Sequence, residues 1–313
     1  MTTTAGIPDP ALPETTTGPA SDPAGRAPSS GPDPQVPEGL EIQRGLRSRV
    51  GGAVRRTGAL ARAEWQQFRR NTTLIVLAGV FPLLCALGYY MLLDRQVPGT
   101  PVPAGTAAGS FLIFTLLFVP FYSVLSMATT RRDEGVLKRL RTGQASDTEI
   151  LTAIAIPGSV LSLVLLPVFV LLAMVMGAGA ALAPLLMVVG LGLGLPIAVA
   201  LALLTSGFTR DAEAAQISSL PVMALAMVSL SPMRMLLPDR ILEVVDRTPF
   251  ALLDNLAWLA WTGLTPADLA AGRPAASAGE AVGQAWPMLG MLALWAVALL
   301  AVVPRTMRWQ THR

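Results

Sequence analysis

The chain has 313 residues, of which 52% are hydrophobic and only 14% charged, against about 25% charged in an ordinary soluble domain. That imbalance excludes a water-surrounded globule for most of the chain and makes lipid the expected surround. The net charge of +3 comes from arginines and the single Lys138; they stand at the ends of apolar blocks, a pattern of membrane topology and not of a nucleic-acid partner.

Residues 1–43 read as a disordered cytoplasmic tail. Met1 to Gly39 is rich in Pro, Thr, Ser and Gly and has no apolar core of the signal-peptide kind. Residues 44–72 then read as an amphipathic interfacial helix. Val54, Gly58, Ala61, Trp65 and Phe68 recur at helical spacing, while Arg55, Arg62 and Arg69 form a separate stripe. Such a helix lies in the membrane interface with Trp65 and Phe68 as its anchors; the alternative is a solvated helix that only leads into the first span.

A membrane-spanning helix needs about 20 predominantly apolar residues. Leu74 to Leu93 and Ser110 to Thr129 meet this requirement. Ile150 to Phe208 carries no charge, is too long for one span, and is broken at Gly177, Gly179 and Pro184, so it reads as a third and fourth span in a tight hairpin. Gln216 to Met233, with Pro221 inside, is the fifth block and Ala281 to Val303 the sixth. The expected fold is therefore an all-α polytopic membrane protein with six transmembrane helices over residues 73–308. Cys85 lies alone in an apolar block and reads as an inert packing residue.

Arg and Lys cluster before the first span, in the second gap (Arg131, Arg132, Lys138, Arg139, Arg141) and after the last span (Arg305, Arg308, Arg313). By the positive-inside rule, both termini and these gaps are cytoplasmic, including the terminus 309–313. The long fifth gap is then external. Within 238–262, Asp239 can cap one short helix and Pro249 can stop it, and Ala251 to Thr262 makes a second, too short to span. Because Trp258 and Trp261 favour the interface, the pair reads as short external re-entrant helices between spans five and six. Thr265, Pro266 and Asp268 mark a further helix start.

Enzyme chemistry is not written in these residues. A P-loop lysine must follow a Gly-rich turn, and Lys138 follows none. The one histidine is His312, which leaves no triad or metal-ligand cluster to assemble. Gly190 and Gly194 have the spacing by which helices approach closely in lipid. No cofactor is expected on this chain.

The most informative segment is 131–143. Glu134 and Lys138 stand at i, i+4 in the favourable order; Val136, Leu137 and Leu140 make an apolar patch; Gly143 can end the helix; Ser146 and Glu149 form a capping box for the next span. The segment reads either as a topological loop or as a docking helix for a partner. Its run Glu134-Gly135-Val136-Leu137-Lys138-Arg139-Leu140-Arg141-Thr142 resembles the E-G-x-x-K-R-L-R-x-T signature of permeases of the type-2 ABC exporter family (ABC-2). Ser231-Pro232, Leu237-Pro238, Ile241-Leu242 and Pro249-Phe250 resemble that family's pattern after span five. Gln144, where the family often has Pro, and Pro232 directly after Ser231 depart from it.

The resemblance implies a permease without an ATP-hydrolysing site, paired with a second permease chain as homodimer or heterodimer and seated on a separate ABC ATPase that holds ATP and Mg. It implies that Glu134, Gly135, Leu137, Lys138, Arg139, Leu140 and Arg141 couple to that ATPase, that Arg210, Asp211 and Glu213 make a second cytoplasmic contact, and that Pro232, Pro238 and Pro249 belong to an external gate. The expected activity is efflux of an amphiphilic, drug-like solute across the plasma membrane. Export of a lipid or glycan, or secondary transport, are the alternatives.

Overall fold

The computed structural model describes residues 38–70, 72–133, 146–209 and 213–306, with backbone alone at 38–50, 73, 74, 77 and 133. The chain divides into two units, Met1–Arg47 and Ser48–Arg313. The first is described only as helical backbone from Glu38, and the functional site lies within the second. The residues expected to couple, Glu134 to Arg141, lie outside the described residues, as do Arg210, Asp211, His312 and the C-terminus from 307.

Every described element is helical. Helix α1 is Glu38–Arg70, so helix begins inside the segment expected to be tail. Helix α2, Thr72–Gln96, covers the first apolar block. The second block is longer than its apolar core suggests: α3 (Val102–Leu116), a π turn (Leu117–Phe121) and α4 (Tyr122–Asp133) run on as one rod. The π turn has a plain cause. Pro120 lies inside it and lacks the N–H that would continue the i→i−4 ladder, so the chain accommodates an extra residue.

Helices α5 (Asp147–Val175) and α6 (Pro184–Phe208) form the expected hairpin. Gly177 and Gly179 have positive φ of 100° and 72°, conformations that a Cβ would strain. Short helices follow: α7 (Ala214–Ser218), α8 (Leu220–Val228), α9 (Ser231–Arg234), α10 (Asp239–Val245), α11 (Pro249–Thr262) and α12 (Pro266–Ala270). Helix α13, Ala278–Thr306, ends the described chain.

Among the described residues, four helices are long and apolar enough to cross a membrane: Val102–Arg132, Asp147–Val175, Pro184–Phe208 and Ala278–Thr306. The fifth predicted block is instead an interrupted apolar segment, Ala214–Val228, broken at Ser219 just before Pro221.

The rod formed by α3 and α4 is the centre. In its most apolar stretch 78% is buried by protein, against 33% in α5 and 17% in α13. Those outer helices expose Leu163, Val164, Leu171, Leu294 and Val297, side chains suited to hydrocarbon and costly as a patch in water. Helix α11 packs against α3, α6 and α13.

In lipid, such packing rests on close fit more than on water exclusion. A Cβ at Gly190 or Gly194 would overlap Leu256 or Leu116, whereas Gly192 faces open space. The expected small-residue face of α6 is therefore a packing face. The same device recurs on α3. A Cβ at Gly105 would overlap the Trp258 ring, and one at Gly109 the Asp254 carboxylate.

This corrects the reading of α11 as an interfacial piece. Trp258 and Trp261 are buried at 1% and 4% exposure. Trp258 donates through Nε1 to the Ser231 hydroxyl at 2.9 Å, and Trp261 to the Ala178 carbonyl at 3.1 Å. Ala183 N–H also donates to the Ala260 carbonyl at 2.8 Å, stitching the α5–α6 turn to α11. A buried Trp needs a partner for its N–H, and here protein supplies it. Asp239 is likewise not a cap: Pro238 is the N-cap residue of α10, without a side-chain bond, and Pro249 opens α11 as its first residue.

Candidate functional site

The Arg-rich end of the bundle gathers four elements around the two stems of segment 134–145. One stem is the end of α4. Arg132, 5% exposed, donates through Nη1 to the Ser206 carbonyl and through Nη2 to the Thr209 carbonyl, both at 2.7 Å. Ser206 stands in the last turn of α6, where its carbonyl also takes the Thr209 N–H at 3.3 Å, and Thr209 is the C-cap; carbonyls at a helix end keep acceptor capacity that the helix itself does not fill. A guanidinium answers both that unmet acceptor capacity and the negative end of the helix dipole.

Arg131, one residue earlier, turns to α1. Its Nη2 lies 2.7 Å from the Glu64 carboxylate and donates to the Gln67 side-chain oxygen at 2.6 Å. Burial raises the Glu64 carboxyl above its ordinary value, against the pull of the Arg131 guanidinium. Neighbouring Phe68 is buried and Trp65 half-buried, their rings stacked at 6.2 Å. Phe68 thus packs into protein, and α1 faces the bundle as well as its surroundings.

The other stem is the start of α5. Ser146 and Glu149 complete the expected capping box. Glu149 also receives Arg56 from α1, through Nε at 3.3 Å and Nη2 at 2.8 Å. A two-pronged guanidinium–carboxylate contact fixes direction as well as distance. Helix α1 is therefore tied to both flanks of the undescribed segment, before it through Arg131 and after it through Glu149.

The opposite end of the rod holds a second polar cluster. Arg234, 5% exposed, closes α9 and donates through Nη1 to Asp246 at 2.5 Å, and through Nη2 to Asp254 at 2.5 Å and to the Asn255 side-chain oxygen at 2.7 Å. Asp254 has 0% exposure. Pro232 sits in α9 half-buried, Pro238 is exposed before α10, and Pro249 is buried at the start of α11. The three prolines thus punctuate the helices that Arg234 joins. Glu213 stands exposed at the start of α7.

Sequence reasoning passes over Arg132, Arg56, Glu64, Arg234 and Asp254 as partners. One signal is present: an Asp in an otherwise apolar helix invites a search for its cation.

A comparison with curated proteins finds no match. The family model described as ABC-2 type transporter matches residues 55–239, from α1 to the first residue of α10. The matched stretch holds both stems of segment 134–145 and all the contacts of Arg131 and Arg132 given above. With its membrane-crossing helices and more than half its length inside that match, the chain belongs to the ABC-2 type transporter family, as a multi-pass membrane permease component of an ABC transporter.

Proposed function

We propose that the chain is the permease of an ATP-driven exporter, with segment 134–145 as the lever that a separate ABC ATPase grips. The observation that carries this reading is the bracing of both stems. Arg132 joins the first stem to the end of α6, and Arg131 and Arg56 join both stems to α1. A segment on braced stems moves its supports when pushed, whereas one on free stems absorbs the push.

In this reading α2 and the interrupted Ala214–Val228 segment complete six spans, with both termini cytoplasmic in the plasma membrane. The charged coupling residues Glu134, Lys138, Arg139 and Arg141 pair with groups on the ATPase, and Arg210, Asp211 and Glu213 add a second contact. Two permease chains sit on two ATPases. The helices around Pro232, Pro238 and Pro249 close the outward side.

The solute is an amphiphile. The lipid-facing helices are apolar and carry few ionisable groups, which suits a solute that partitions into the bilayer. The test is reconstitution with the cognate ATPase. Flux of an amphiphilic probe that requires ATP hydrolysis and is blocked by vanadate supports the proposal; flux that follows a proton gradient in the absence of ATP refutes it.

A further inference from the structure

Helices α5, α6 and α13 enclose a groove of about 460 Å³ on the Arg-rich half of the bundle. Ligand pockets run from about 300 to 1,000 Å³, so the space is large enough for a hydrocarbon segment. One wall is α5, with Thr148, Thr152 and Ser159; the facing walls include Val199 and Leu300 and are apolar.

Its length is the telling feature. From Thr148 to Ser159 along one helix, at a rise of roughly 1.5 Å per residue, the wall extends about 16 Å. The hydrocarbon core of a bilayer is about 30 Å thick, so one leaflet contributes about 15 Å. The groove therefore matches a single leaflet in depth and starts where the charged end of the bundle starts.

Charges of both signs flank the lining residues in sequence at this end. Asp147 and Glu149 stand on either side of Thr148, Glu149 is paired with Arg56, and Arg305 follows the lining residue Pro304 and is exposed. Charges of both signs above an apolar slot complement a zwitterionic head with a tail below it. Pro304 adds a feature inside the slot. It removes the N–H that the Leu300 carbonyl would accept from in an unbroken helix.

We propose that this groove is a specific binding site for one acyl chain of a zwitterionic bilayer phospholipid, taken from the leaflet at the Arg-rich end, with the head held at the Arg56–Glu149 and Arg305 mouth. Naming that leaflet as cytoplasmic rests on the orientation proposed above; the site itself does not. A tail seated there wedges α5 against α6 and α13, which connects lipid occupancy to the α5 stem of the lever.

The test uses the full chain alone in phosphatidylethanolamine vesicles carrying a photoreactive phosphatidylethanolamine with a diazirine in mid-tail. Peptides covering residues 148–159 and 195–203 should be labelled more strongly than the outward face of α5 around Leu163 and Leu171. Ala155→Trp, which fills the slot from one wall, should cut groove labelling severalfold and leave Leu171 labelling unchanged. Val199→Phe, from another wall, serves if the first variant is not monodisperse. Equal labelling of groove and outward face, or groove labelling that neither variant reduces, overturns the proposal. So does groove labelling that appears only during ATP turnover with the ATPase present, which would make the slot part of the transported solute's path. Because the main experiment contains no ATPase, its failure leaves the exporter reading standing.

Discussion

Arg234 and Asp254, twenty positions apart in sequence, meet as an ion pair at 2.5 Å with the carboxylate wholly buried. The pair ties α9 to α11, and Asp246, just past the end of α10, binds the same guanidinium. Helices this short have little stability of their own, so one buried cation organises three of them.

Replacing Asp254 with Ala leaves that cation buried with less compensation. Breaking a buried pair from one side costs about 3–5 kcal/mol, so Asp254→Ala is expected to lower the thermal unfolding midpoint strongly in detergent. The double variant Arg234→Met with Asp254→Leu should recover much of the loss. Recovery distinguishes an unpaired-charge penalty from a simple packing defect.

Gly105 and Gly109 form the seat on which Trp258 and Asp254 rest. Gly105→Ala forces a methyl group into the indole ring, and overpacking of this kind costs about 1–3 kcal/mol. Gly192→Ala, facing open space, is the matched control and should leave the unfolding midpoint unchanged or raise it. Equal midpoints for the two variants would mean that α3 and α11 meet less tightly than the glycine seat requires.

Arg132→Ala removes two hydrogen bonds from a charged donor, each worth roughly 1.5–3 kcal/mol. Insertion and folding should persist, with ATP hydrolysis by the partner continuing while solute flux falls. Arg132→Gln, which can still donate one bond, should lie between. The ratio of solute moved to ATP hydrolysed, measured in proteoliposomes, is the readout that a purely structural role would not move.

Glu64 gives a pH signature. Burial holds its carboxyl above the ordinary 4.5. A raised carboxyl favours the folded state below its ordinary value, and that advantage is lost as pH rises through the raised value. Glu64→Gln cannot ionise and should remove this component. Thermal midpoints of wild type and variant, compared across the mildly acidic range, should converge toward low pH only if the wild type carries this slope.

Much of the fold is legible in the sequence because lipid imposes a simple rule: long uncharged blocks become helices. The α5–α6 hairpin, its glycine turn, and the capping boxes at Ser146 and Thr265 follow from local chemistry within a few residues. What sequence reading misses depends on distance. Nothing local to Trp258 says that its indole meets Gly105, so α11 reads as an interfacial piece. Arg132 resembles the other topological arginines, because its partners are backbone carbonyls of a helix over 70 positions away. Glu149 reads only as a cap, since Arg56 reaches it from another helix.

Segment 134–145 is proposed to convert ATP hydrolysis into movement of the spans. This conversion is tested most directly by reconstituting the chain with its ATPase and comparing wild type with Glu134→Ala at matched protein levels, measuring hydrolysis and amphiphile flux in the same vesicles. The variant should hydrolyse ATP while its flux per ATP collapses. Flux per ATP equal to wild type would contradict the claim.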